Sequence, residues 1–228
     1  MKYWGKAKKY LKKSPLRKVI KRNPFNLLRL NKKKPWQLHE SKNVYGRFEI
    51  IEPILQEFEV NSVLDIGCNA GVVTRLAGEM GIFSVGIDTD INFRGVKDPL
   101  NKACIGKYVL DEKLADKLPA FDAVFLFSVH HHFIRTYGDE EAKKIISKLA
   151  GKTNKILIFE VAGLNRNYKK KPGELFIDND EKSVTSYTQK WLEDALPSWK
   201  IKYLWKNERP TSAGSRYLFI CHREEGIT

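Results

Sequence analysis

The stretch Ser62-Val-Leu-Asp-Ile-Gly-Cys-Asn-Ala-Gly71 decides the fold, because an apolar run of strand length passes directly into a glycine-rich turn. The segment after it, Val72 to Gly81, is predicted to be a helix. Glycines let the backbone approach a ligand closely, and the first turn of a helix presents unpaired N–H groups. A strand, a Gly-x-x-x-Gly turn and a helix in this order predict a nucleotide-type binding site.

A second strand at the right distance strengthens this prediction. Phe83-Ser-Val-Gly-Ile-Asp88 is apolar and ends in an acid, which is placed to accept hydrogen bonds from ribose hydroxyls. The dinucleotide fingerprint G-x-G-x-x-G is absent, since Asn69 and Val72 stand at two of its glycine positions. The turn is therefore not the form that cradles the pyrophosphate of NAD.

With Asp65, Gly67, Gly71 and Asp88 in these places, the sequence resembles the class I S-adenosylmethionine-dependent methyltransferases. The resemblance covers about residues 45–223. It implies an enzyme that uses S-adenosyl-L-methionine as its cofactor. It also implies an α/β fold, with a Rossmann-like, seven-stranded, mostly parallel sheet whose last strand is antiparallel.

The resemblance implies further cofactor-binding residues outside the first motif. Arg47, in Tyr-Gly-Arg, is placed to pair with the cofactor's carboxylate, and its alternative is an ordinary surface arginine. Asp111 and its neighbour Glu112 fall where the family often contacts the adenine amine, although they could be surface acids. Asn69 in the first motif and Ser128 after the fourth strand complete the expected set.

Chemistry-bearing residues follow the predicted fourth strand, Phe121 to Phe127, a continuous apolar run typical of a strand buried on both faces. The run leads into Ser128-Val-His-His-His-Phe133, and in open α/β sheets ligands lie outside the carboxyl ends of the strands. If the extended geometry persists, His130 and His132 face one side and His131 the other. Such an arrangement argues against a metal site, and none is expected.

His131, His132 and Glu160 are the candidate catalytic residues. A histidine can take the proton from an attacking hydroxyl, because its pKa lies near neutral pH. Glu160 ends the predicted fifth strand, Lys155 to Glu160, and points toward the same pocket. The histidines could instead orient a substrate or cap the next helix. Together with Asn69, this set resembles the branch that includes O-antigen chain-terminating and RNA-cap phosphate methyltransferases.

The remaining pattern completes the predicted domain. Helices are expected at 48–58, with Pro53 as a possible kink, and at 138–149 and 188–196. Strands are expected at 199–205 and 216–222, as the family's closing hairpin. Residues 164–183 are interpreted as a loop over the active edge.

Charge divides the 228-residue chain into two parts. Its net charge of +14 lies entirely at the N-terminus, since residues 1–47 hold 16 Lys and Arg but one acid, Glu40. We therefore predict a basic N-terminal helical arm at 1–44 and a methyltransferase domain at 45–228. A 42% hydrophobic content is globular, and no apolar run is long enough to span a membrane. Three widely spaced cysteines fit a reducing cytoplasm better than a disulfide framework.

The arm suggests where the enzyme acts. Apolar residues recur between its lysines at helical spacing, as in broken amphipathic helices that bind an anionic membrane surface. The predicted acceptor is a glycan or a phosphorylated glycan, methylated on oxygen by a cytoplasmic protein that is peripheral at the inner membrane face. The arm could instead hold RNA phosphates, pack on the domain or serve as a solubilising tail. An RNA or small-molecule methyltransferase is thus the alternative.

Overall fold

The computed structural model of the protein describes residues 35–69, 71–89, 103–162, 180–207 and 215–223. The predicted basic arm up to residue 34 and residues 164–179 of the predicted loop lie outside these ranges. The described residues build a layered α/β structure in which helices cover both faces of one sheet.

The sheet has the strand order β3-β2-β1-β4-β5-β7-β6. Neighbouring strands from β3 to β5 pair in parallel, whereas β7 runs antiparallel to both β5 and β6. This mixed, mostly parallel sheet confirms the predicted Rossmann-like α/β class. The strands are β1 Ser62–Ile66, β2 Phe83–Asp88, β3 Ala103–Lys107, β4 Phe121–Phe127, β5 Thr153–Ala162, β6 Trp199–Asn207 and β7 Arg216–Arg223.

Two helical layers bury the sheet. The helices are α1 Pro35–Glu57, α2 Val72–Glu79, α3 Glu112–Lys117, α4 His130–Tyr137, α5 Asp139–Gly151 and α6 Glu181–Ala195. Helices α1 and α2 cover one face, and the other four cover the opposite face. Because side chains alternate along a strand, β4 contributes Phe125 to the first layer and Val124 to the second. This double burial explains the continuous apolar run in β4.

Two helices begin earlier than their patterns predict. Helix α1 begins at Pro35 rather than Phe48, so it crosses residue 45, and the division into arm and domain stays a prediction. Helix α6 begins at Glu181, so its first turns occupy part of the predicted loop. The carboxylate of Asp180 accepts a hydrogen bond from the Ser183 N–H at 2.9 Å, which caps the helix well before Thr188.

The extended geometry considered for the histidines does not persist beyond β4. Ser128 has a φ of 58°, which turns the chain out of β4, and α4 begins at His130. The His132 N–H donates to the Val129 carbonyl at 2.9 Å, closing the first turn. The three histidines therefore diverge by about 100° per residue around a helix instead of alternating across a strand.

Candidate active site

The glycine-rich turn after β1 is fastened to the end of β2. Its residues Gly67, Asn69 and Gly71 have φ values of 72°, 51° and 67°. The Gly67 N–H donates to the Ile87 carbonyl at 2.8 Å, and the Asn69 N–H donates to the Asp88 carboxylate at 2.8 Å. Two strand ends that the sequence assigned to a cofactor are thus joined by direct hydrogen bonds.

Gly67 also joins this turn to the turn after β4. A Cβ atom at residue 67 would lie 2.2 Å from Cγ1 of Val129, far inside van der Waals contact. Because its φ is positive as well, the position requires glycine for two independent reasons. The turns that carry the predicted cofactor and catalytic residues therefore pack directly on each other.

Asp65 lies below the turn, buried within β1. Its carboxylate accepts a hydrogen bond from Oγ1 of Thr74 on α2 at 2.7 Å. Burial raises the pKa of Asp65 to about 6, against the opposing effects of that hydrogen bond and of the Arg47 charge. A buried acid with a raised pKa at a strand end is typical of a functional site.

Three predicted residues from distant parts of the chain meet at the ends of β4 and β5. Ser128 Oγ donates to Oε1 of Glu160 at 2.6 Å, and Oε2 of Glu160 lies 3.2 Å from Nε of Arg47. The second contact is an ion pair rather than an aligned hydrogen bond. The Arg47 guanidinium also lies over the Phe127 ring, 4.5 Å from its centre. Arg47 and Glu160 are 5% and 1% exposed, so this is a buried charge pair.

His131 and His132 follow Ser128 in the first turn of α4, with ring centres 4.0 Å apart. The pKa of His131 is lowered to about 3, mainly by burial and to a smaller extent by the positive charge of Arg216. Burial and the Arg135 charge lower the pKa of His132, while Asp88 opposes them. Both rings are therefore neutral at pH 7.

His130 belongs to the core instead. It is 3% exposed, and its ring meets Trp191 of α6 edge to face, with centres 4.5 Å apart. Phe159 of β5 lies on another side, at 5.6 Å. Burial lowers the pKa of His130 to about 4. His130 therefore packs α4 against α6 and β5.

Asp111 follows β3, at the same end of the sheet, and is the N-cap residue of α3. Its carboxylate accepts a hydrogen bond from the Leu114 N–H at 2.7 Å and caps α3. The Tyr137 hydroxyl donates to the carbonyl of Leu110 at 2.9 Å, which attaches this segment to α4. Its contact with an adenine stays a prediction.

Arg216 is the main residue that sequence reasoning missed. It begins β7, is 8% exposed, and donates from Nε to Ser128 Oγ at 3.0 Å. The sequence signal that could have identified Arg216 is a charged residue at the start of an apolar strand. Within the described ranges, no three His, Cys, Asp or Glu side chains gather as a metal site.

Comparison with protein-family models and with curated proteins finds no sequence match. Solved structures do match. A crystal structure of WbdD aligns with a TM-score of 0.59 and 17% identity, over 83% of this chain and 41% of that one. Magnesium protoporphyrin IX methyltransferase from Synechocystis PCC 6803, solved with bound SAH, aligns with a TM-score of 0.57 and 18% identity, over 92% and 98% of the two chains.

The chain has the S-adenosylmethionine-dependent methyltransferase fold. The methyltransferase domain of bacterial CtHen1 aligns as well, with a TM-score of 0.53, 13% identity and coverage of 77% and 97%. WbdD is described as a bifunctional kinase-methyltransferase, and this chain spans about two fifths of it. In this fold, the joined ends of β1 and β2 lie at the carboxyl ends of the parallel strands. The buried Arg47–Glu160 pair lies at the same end of the sheet, beside β4.

Proposed function

We propose that the protein is an S-adenosylmethionine-dependent methyltransferase. The observation that carries this proposal is the hydrogen bond between the Asn69 N–H and the Asp88 carboxylate. It fixes an acid of the second strand against the glycine-rich turn of the first, where a nucleoside would meet both. A related magnesium protoporphyrin IX methyltransferase structure contains SAM, which supports the choice of cofactor.

The residues present fit the chemistry of that cofactor. Asp88 suits ribose hydroxyls, and the backbone at Gly67 and Gly71, with positive φ, allows a close approach. Arg47 offers a cation to a carboxylate, and Asn69, Asp111 and Ser128 offer polar groups along the same edge. When bound, S-adenosylmethionine supplies a methyl group on positively charged sulfur. The protein's part is to hold the donor and the acceptor in line.

The candidate catalytic residues receive different roles. Glu160 is engaged with Arg47 and Ser128 and is almost fully buried, so we assign it the positioning of these two side chains. His131 is half-buried and His132 is exposed, so both can meet an acceptor. As neutral rings they can accept a hydrogen bond or a proton from it, His132 more readily because His131 has a pKa of about 3.

We further propose that the acceptor is a glycan or phospho-glycan at an anionic membrane, reached through the arm at 1–44. The lysines and aliphatic residues of the arm support this proposal. Among the described helices, none is both long and apolar enough to cross a bilayer. On the basis of the arm's composition, we place the protein in the cytoplasm, at the inner membrane face. Cys68 and Cys221 are free thiols.

Cofactor binding is tested by calorimetry with S-adenosylhomocysteine. Asp88→Asn should weaken binding at least tenfold, because it removes the charge while an amide oxygen can still hold the Asn69 N–H. Asp116→Asn, at an exposed acid on α3, is the control and should bind like the wild type. Wild-type protein that binds no S-adenosylhomocysteine would refute the proposed function.

The acceptor is tested by transferring a radiolabelled methyl group from S-adenosylmethionine into a host extract. The label should enter the lipid-glycan fraction. The amount of label in that fraction should fall in a variant with six arm lysines replaced by glutamine, at Lys2, Lys6, Lys8, Lys9, Lys12 and Lys13. The control replaces three exposed lysines on the domain surface with glutamine, at Lys113, Lys117 and Lys190. Nuclease-sensitive label would favour an RNA acceptor instead.

A further inference from the structure

Arg216 closes a chain of hydrogen bonds that joins three strand ends. Its Nε donates to Ser128 Oγ at 3.0 Å, and the same hydroxyl donates to Glu160 Oε1 at 2.6 Å. The three residues lie at the start of β7, after β4 and within β5. The arginine side chain is thereby held beside the turn that begins α4.

Ser128 holds a backbone conformation that side chains rarely adopt. Its φ of 58° costs a non-glycine residue roughly 1–2 kcal/mol. The Ser128 N–H donates to the Glu160 carbonyl at 2.9 Å, so backbone and hydroxyl are both fixed on the same residue. Strained residues that their neighbours hold this firmly concentrate at functional sites.

Charge is divided along this edge of the sheet. The acids Asp65 and Asp88 lie at the ends of β1 and β2, the side proposed for the cofactor. On the other side, Arg216 and Arg135 carry the positive charges that act on His131, while the Glu160 carboxylate is paired with Arg47. The acceptor side therefore favours a negatively charged group.

We propose that Arg216 binds an anionic oxygen of the acceptor, a phosphate or a carboxylate, beside Ser128. This assignment rests on the proposed methyltransferase function and names the acceptor class. A guanidinium suits this task, because its planar fork carries five N–H donors and can bind an anion while Nε stays on Ser128 and Nη1 on the Ser215 carbonyl.

The chemistry of the transfer agrees with such an acceptor. An oxygen–methyl bond forms, the carbon–sulfur bond breaks, and its electron pair stays on sulfur, which becomes neutral. An anionic oxygen has no proton to lose in this step, whereas a neutral hydroxyl must give one to a base. Of the candidate bases beside this position, Glu160 is engaged with Arg47 and Ser128. His131 and His132 are weakened as bases, because burial lowers the pKa of each ring.

Direct binding tests the proposal on the full-length protein with S-adenosylhomocysteine present. Glucose 1-phosphate and glucuronate are the anionic probes, and glucose is the neutral one. We expect at least one anion to bind tenfold or more tightly than glucose, and Arg216→Gln to remove that preference. Arg216→Lys, which keeps the charge without the fork, should retain part of it.

Arg223→Gln is the matched control, because Arg223 ends the same strand, exposed, with its guanidinium 5.5 Å from the Trp199 ring centre. It should bind all probes like the wild type. S-adenosylhomocysteine affinity and thermal unfolding, measured on every variant, separate this inference from the proposed function. If Arg216→Gln binds both S-adenosylhomocysteine and the anions normally, or if the wild type binds no anion saturably, the assignment of Arg216 is overturned while the methyltransferase proposal stands.

The labelled product from a host extract distinguishes the two anions. Label released by mild alkali marks a methyl ester and hence a carboxylate acceptor. Label released by phosphodiesterase marks a methylated phosphate. A product that resists both treatments is an ether of a neutral hydroxyl and would overturn the proposal.

Discussion

Glu160 on β5 and Arg47 on α1 form an ion pair in which Oε2 lies 3.2 Å from Nε and both side chains are more than nine-tenths buried. The pair fastens α1 to the end of the strand beside which the acceptor is proposed to bind. Removing one charge from such a pair leaves the other buried without compensation, which is more costly than removing both.

Glu160→Gln should therefore destabilise the protein by about 3–5 kcal/mol in urea unfolding. The double variant with Arg47→Met should recover much of this loss. Glu193→Gln, an exposed acid on α6, serves as the control and should stay within about 0.5 kcal/mol of the wild type. Wild-type stability in Glu160→Gln, combined with a lower kcat and an altered pH profile, would instead make Glu160 a catalytic base.

Asp65→Asn should stabilise the fold near neutral pH. Burial raises the pKa of Asp65 from 3.8 to about 6, so the carboxyl group ionises less readily in the folded protein than in the unfolded chain. The free energy of unfolding of the wild type therefore falls as the pH rises from about 4 to 6. The variant lacks this loss, and an amide oxygen can still accept from Thr74. At pH 7.5 the gain should approach about 3 kcal/mol.

Urea unfolding of both proteins between pH 4 and 7.5 measures this difference. Calorimetry with S-adenosylhomocysteine should show weaker binding to Asp65→Asn, because the stabilised protein has lost a charge from the cofactor side. Parallel pH curves for the two proteins would contradict a raised pKa at Asp65.

His130→Phe should reduce the sensitivity of the fold to acid. The folded pKa of His130 is about 4 against an ordinary value of 6.5, so its contribution to stability is present above 6.5 and is lost as the pH falls toward 4. At pH 5 the wild type should lose about 2 kcal/mol from this residue relative to pH 7.5.

The phenyl ring can keep the edge-to-face contact with Trp191, so stability at pH 7.5 should change by less than about 1.5 kcal/mol. His131 also has a lowered pKa but is present in both proteins, so the difference between their pH curves isolates His130. Curves of equal slope below pH 6.5 would show that His130 ionises freely in the fold.

Gly67→Ala should cost about 3 kcal/mol, the sum of a positive φ and a collision with Val129. Adding Val129→Ala removes the closest atom, Cγ1, and leaves Cβ at 3.7 Å. The double variant should therefore lose less than the sum of the two single losses, by about 1 kcal/mol or more. Additive losses in urea unfolding would mean that the two turns do not pack in this way.

Local patterns were sufficient for the unit that is proposed to bind the cofactor. The strand, the glycine turn, the helix and the next strand are consecutive, so apolar runs and glycines predict them from residues 62 to 88. Asp65, Gly67, Asn69, Gly71 and Asp88 fall within this one unit, and short parallel pairing brings them together.

Local patterns also misplaced some elements. The apolar residues of α6 suggest its later turns, whereas its beginning depends on the Asp180 cap. Extended geometry does not persist through the histidines, because Ser128 leaves the strand in a conformation that its residue type does not favour.

The sequence by itself determined the fold class and the unit proposed to bind the cofactor, because contacts between neighbouring elements follow from local periodicity and turn chemistry. Only the tertiary structure decided which side chains meet where the acceptor is proposed to bind. Arg47, Ser128, Glu160 and Arg216 meet because α1 covers the sheet and β7 inserts antiparallel beside β5. It also decided that His130 packs against Trp191 while His131 and His132 remain at the site, since burial of adjacent helical residues depends on the helix packed against them.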